Sequence, residues 1–114
     1  MSAVANIVAS LAAAVAFSAD PPSCDQGGPS CDTASGTILA LERVDPDGDG
    51  DAHFVILDPG GVTAPGISVI DVTRKLRPQP LPRAGTAISA AGPVLPGSYG
   101  QRQIQATEIR VGPG

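Results

Sequence analysis

The sequence predicts an all-β domain of short, bent strands, and three observations carry that expectation. Fourteen glycines and twelve prolines are spread through 114 residues without a repeat period, so the chain must reverse often. No run beyond residue 20 is long enough and free enough of them to make a long helix. The apolar segments between these breakers are short and rich in Ile, Val, Leu and Ala, the lengths and residue types of strands. Phe17, Phe54 and Tyr99 are the whole aromatic complement, so the core has to be aliphatic. The length allows a single domain, which buries about two-thirds of the surface its unfolded chain exposes.

The N-terminal part is expected to be a separate object. Residues 3–19 are almost continuously apolar and small, interrupted only by Asn6, Ser10 and Ser18, and they close on Ala14-Val15-Ala16 and Ala16-Phe17-Ser18. That is the pattern of a signal peptide over 1–18, with an uncleaved membrane anchor as the alternative. It lacks a Lys or Arg in its first residues, so the true start could lie upstream of Met1. Residues 19–35 then form an arm containing Cys24 and Cys31 around a Gly/Pro loop. Zinc would need four ligands, and His53 is the single histidine; a redox pair would have closer spacing and a following helix. A disulfide between Cys24 and Cys31 is the expectation, and with the signal it implies a secreted or periplasmic protein.

Five strands follow over 36–111, with 112–114 as a tail. Residues 36–44 read as a bulged first strand, because Ile38, Leu41 and Val44 break the alternation; a short helix is the alternative. The turn Asp45-Pro46-Asp47-Gly48-Asp49-Gly50-Asp51 has two glycines to reverse the chain. Residues 52–57 and 67–72 are the second and third strands, separated by Asp58-Pro59-Gly60-Gly61. Pro78, Pro80 and Pro82 alternate in the next connection and exclude both a helix and a central strand there. Residues 86–90 make the fourth strand, stopped by Gly92-Pro93. Residues 102–111 make the fifth, whose apolar phase shifts between Ala106 and Ile109, as a bulge would require. The expected interior is Ile38, Leu41, Phe54, Ile56, Val69, Ile88, Ile104 and Ile109.

The stretches Asp51-Ala52-His53-Phe54-Val55-Ile56-Leu57-Asp58 and Gly85-Thr86-Ala87-Ile88-Ser89-Ala90-Ala91-Gly92, with a last strand ending Thr107-Glu108-Ile109, resemble small signal-bearing OB-fold proteins of bacterial periplasms and anticodon-binding OB modules. The resemblance covers about 36–111 and implies a five-stranded, partly open OB-like barrel. The chain departs from the family in two respects. It lacks the exposed aromatics of nucleic-acid modules, and a proline run stands where many OB barrels place a helix.

Charge is divided along the chain. Between residues 20 and 71 there are ten acidic residues and one basic, Arg43; after residue 71 there are six basic residues and Glu108 alone, within a net charge of −4. Such a balance argues against a continuous basic footprint, so nucleic acid is not the expected partner. No nucleophile–base–orienter set and no phosphate-cradling glycine motif is present, which argues against an enzyme. The likeness of the acidic turn to a thermonuclease entry fails for want of an arginine in 67–72 and of a helical C-terminal half.

Asp45, Asp47, Asp49 and Asp51 match the first, third, fifth and seventh positions of a calcium loop, but Ile56 stands where its bidentate carboxylate belongs. Weak calcium binding at most is expected, with a plain solvated hairpin as the alternative, and no other cofactor. Candidate ligand-binding residues are His53, Arg74, Lys75, Arg77, Tyr99 and Arg102. The leading expectation is a non-catalytic, exported monomer whose barrel binds a peptide, saccharide or small molecule. A single-stranded nucleic-acid-binding OB domain and a structural domain of the cell envelope are the alternatives.

Overall fold

The computed structural model describes residues 22–24, 28, 30–42, 51–97 and 100–113. The expected signal segment, most of the acidic turn (Asp45, Asp47 and Asp49 included) and Tyr99 lie outside the described residues. Six strands are formed: β1 (Cys31–Glu42), β2 (Ala52–Leu57), β3 (Ile67–Val72), β4 (Ala87–Pro96), β5 (Arg102–Gln105) and β6 (Glu108–Val111). The second and third strands fall where the alternation and their flanking turns put them. The expected bulge in the first is present too, as a register shift between Ile38 and Ala40 against β2.

The strands pair in the order β1-β2-β3-β5-β4, and β4 returns to β1, so five strands close a ring while β6 continues along the far edge of β4. All pairings are antiparallel except β3–β5, where Ile70 lies beside Ile104 and Asp71 beside Gln105. Strands β5 and β6 are the single fifth strand of the sequence reading, broken by an irregularity. Val94 pairs with Ile104 and Ala91 with Glu108, so three steps along β4 match four along its partner. That is the extra residue of a bulge, at the predicted phase change.

Two strands are longer than expected. β1 begins at Cys31, because the arm pairs residue by residue with β4 from Cys31↔Pro93 to Thr37↔Ala87. β4 runs through Gly92-Pro93 to Pro96. The Val94 N–H bonds to Ser30 O, so strand alternation turns the Pro93 nitrogen to the opposite side, toward the break between β5 and β6. The missing donor costs no ladder bond there, so the proline does not end the strand. The glycines at the two crossings are required by space. A Cβ on Gly36 would overlap the Leu57 carbonyl oxygen, and one on Gly92 the Gln105 carbonyl oxygen.

The core packs Ile38, Phe54, Ile56, Ile70, Val72, Ile88 and Ile104 with the small residues Ala34, Ala52, Ala90 and Ala106. Three expected interior positions need correction. Leu41 sits opposite Phe54 but is 39% exposed at the barrel end, and Ile109 is only partly buried. Val69 is buried, yet its register with Val55 places it on the outer face, while Ile70 points inward. The proline-rich connection 73–86 does not run extended as expected: it turns at Thr73, bends at Gln79 and Pro80 across a cis peptide bond and turns again before β4, while Leu76 and Leu81 pack onto the core. It thus does what a capping helix would do elsewhere. Pro22 is buried, and Cys24–Cys31 forms the expected disulfide, with Cα atoms 5.7 Å apart. Among the described residues no helix is long and apolar enough to cross a membrane.

Candidate functional site

Strand alternation sorts β2 and β3 into two faces. Ala52, Phe54 and Ile56 enter the core, so His53, Val55 and Leu57 look outward, and their partners Asp71, Val69 and Ile67 share that face. Tracing the register sideways gives three rows across the outer face. The first is Glu42–His53–Asp71–Gln105, the second Ala40–Val55–Val69 leading on to Gln103 and Leu95, and the third Thr37–Leu57–Ile67. The face is therefore polar at one end and aliphatic at the other, with Leu57 54% and Leu95 41% exposed.

The polar row is organised by one carboxylate. Asp71 is 3% exposed although it points away from the core. His53 Nε2 lies 3.2 Å from its Oδ1. The Gln105 side-chain amide donates to its Oδ2 at 2.6 Å, and the Gln103 amide approaches the same oxygen at 3.5 Å. A buried carboxylate is tolerable only with such donors around it. The aliphatic end is tied by the β2–β3 loop: Thr63 Oγ1 donates to Arg102 O, and the Val69 N–H donates to Thr63 Oγ1. Asp58, also buried, accepts from Ser68 Oγ and the Gly60 N–H and holds the turn after β2.

The sequence-predicted ligand set does not come together as one cluster. His53 stands near the start of β2, in the polar row at the end of the face that leads to Arg74. Arg102 is exposed at the start of β5, beside the β2–β3 loop and so at the Ile67 end of β3. Arg74 and Lys75 are exposed in the turn that follows Val72, at the opposite end, and Arg77 is half-buried there. A strand of this length spans roughly 20 Å, so Arg102 lies near one end of β3 and Arg74 and Lys75 near the other. Asp51 is half-buried just before β2, at the Arg74 end; among the described residues no three His, Cys, Asp or Glu side chains are grouped as metal ligands. The glutamines and Asp71 were missed by sequence reasoning. Their signal was the register, since Asp71 and Gln105 share a face only because β3 and β5 run parallel.

A separate open groove of about 540 Å³ lies between the proline connection and the end of β6, lined by Pro78, Pro80, Pro82, Arg83, Thr86 and Val111 among others.

No family model and no curated protein matches the chain. Solved structures do. One is the dimeric structure of the N-terminal domain of PriB protein from Thermoanaerobacter tencongensis, 18% identical, with a TM-score of 0.57 over 75% of this chain and 98% of that one. This likeness corrects the leading expectation of an exported module for a peptide, saccharide or small molecule, and with it the exclusion of nucleic acid as a partner. Net charge and the scarcity of aromatics had decided against nucleic acid, but neither describes where the cations lie on the fold. The chain is an all-β, OB-like barrel that shares its fold with the N-terminal domain of PriB.

Proposed function

We propose that this domain binds single-stranded nucleic acid across the outer face of β2 and β3, as a binding module without catalysis. The observation that carries the reading is the strand order β1-β2-β3-β5-β4 closed on β1, together with the likeness to a PriB domain. Barrels of this order use the β2–β3 face and the loops after β1 and β4 for oligonucleotides. Here Arg102 lies exposed near one end of β3 and Arg74 and Lys75 near the other, which suits a phosphate backbone drawn along β3. The exposed Leu57 and Leu95 offer apolar contact to bases in place of aromatic platforms.

With few cations and a net charge of −4, binding is weak and electrostatic. The expected dissociation constant at physiological salt is roughly 10⁻⁴–10⁻⁶ M. Fluorescence anisotropy of a labelled mixed-sequence 12-mer, repeated across a salt series, tests this. Three phosphate contacts give a log–log salt slope of about −2 for a single strand. The triple variant Arg74→Ala/Lys75→Ala/Arg102→Ala should lose most of that slope. Absence of binding by the wild-type domain at low salt would remove the reading.

A further inference from the structure

Resting on that reading, we infer that Asp71 and Gln105 make the polar end of the face selective for bases that carry an exocyclic amino group. The inference comes from the direction of one amide. A carboxylate can only accept, so the Gln105 side-chain nitrogen, 2.6 Å from Asp71 Oδ2, must be the end that faces it. The other end of the same amide, Oε1, is thereby fixed away from Asp71.

An unconstrained glutamine is ambidextrous. Its amide rotates to donate or accept, and it does not discriminate between a base amino group and a base carbonyl. Gln105 has lost that freedom, because turning over would set its carbonyl oxygen against a buried carboxylate. Asp71 has little room to move aside and permit the flip: it is almost fully buried with His53 Nε2 3.2 Å from its other oxygen, and Gln103 also presents its amide nitrogen toward Oδ2. The row therefore offers a fixed acceptor on the β5 side of the face. Cytosine, adenine and guanine each have an amino group to give it. Thymine and uracil offer only their one ring N–H, flanked on both sides by carbonyl oxygens that would crowd Oε1, so they meet this acceptor less well.

Gln105 is thus a specificity residue and Asp71 a positioning residue, which acts by denying the amide its second orientation. The contrast between cytosine and thymine isolates the effect, because the two pyrimidines stack with similar area.

The test compares labelled dC and dT 12-mers by anisotropy at pH 7.5 on the whole chain, for wild type, Gln105→Met and Asp71→Asn. Folding of each variant is checked by circular dichroism. Wild type is expected to bind dC about fivefold or more tightly than dT, in the range of one well-placed hydrogen bond. Gln105→Met deletes the acceptor and should bring the ratio near one. Asp71→Asn restores the amide's freedom and should compress the ratio while leaving the salt slope unchanged, an effect that a purely structural role would not produce. Equal binding of dC and dT by wild type, or a cytosine preference that survives Gln105→Met, would overturn the inference and leave the nucleic-acid reading standing. Failure of the wild-type chain to bind either oligonucleotide would remove both.

Discussion

His53 and Asp71 face each other across β2 and β3, with His53 Nε2 3.2 Å from Asp71 Oδ1, on the outside of the barrel. A pair in that position does not serve the core. It sets an imidazole against one oxygen of a nearly buried carboxylate whose other oxygen the glutamine amides hold, at the surface where a ligand would lie.

Removing the histidine therefore costs more than an exposed contact would. His53→Ala removes the imidazole 3.2 Å from Asp71 Oδ1 and with it the closest group that could offset this carboxylate's charge on the β2 side. The expected loss is about 1–3 kcal/mol of stability in urea denaturation at neutral pH. A change within a few tenths of a kcal/mol would show that solvent replaces the imidazole freely.

The crossing glycines give a second prediction. A Cβ at residue 36 would collide with the carbonyl oxygen of Leu57, a backbone atom that no side-chain rotation can remove. Gly36→Ala should destabilise by roughly 1–3 kcal/mol through the forced backbone shift. Gly28→Ala meets no atom within 4 Å, though its φ of 77° strains any side chain; its cost should be smaller, since the position lies in the arm. Thermal melts of the two variants, compared with wild type, measure the difference.

The disulfide gives a third. Cys24 and Cys31 close a short loop and tie the arm, whose Pro22 is buried, to the start of β1. Cys24→Ser/Cys31→Ser should cost about 2.5 kcal/mol or less, because a loop of this length restricts the unfolded chain modestly. The same shift should appear on adding reductant to wild type, read by thermal melting. A larger loss would mean that the arm's pairing with β4 depends on the clip.

Much of the fold was legible, for physical reasons that can be traced residue by residue. β2 and β3 stood out because turn residues bound both ends of each run, and Ala52, Phe54 and Ile56 alternate with outward neighbours. The phase of β3 was not legible. Val69 and Ile70 are both apolar and both buried, and only the pairing with β2 decides which points inward. The end of β4 was misjudged because a proline reads as a stop until its nitrogen is seen to face the β5–β6 break. The candidate site was legible only in pieces. His53, Arg74, Lys75 and Arg102 are visible as residue types, but their division between the two ends of the β2–β3 pair depends on strand order. Asp71 and Gln105 are far apart in sequence, and their contact exists only through the parallel pairing that closes the barrel.

The most direct measurement of the central claim is a ¹H–¹⁵N correlation spectrum of the labelled domain, titrated with a 12-nucleotide single strand at low salt. Binding across the β2–β3 face predicts shifts concentrated at His53, Val55, Leu57, Val69, Gln103 and Gln105, with Arg74, Lys75 and Arg102 moving at the two ends. The residues of the proline-lined groove, Arg83, Thr86 and Val111, should stay in place. Shifts confined to that groove, or a spectrum unchanged by the oligonucleotide, would contradict the account.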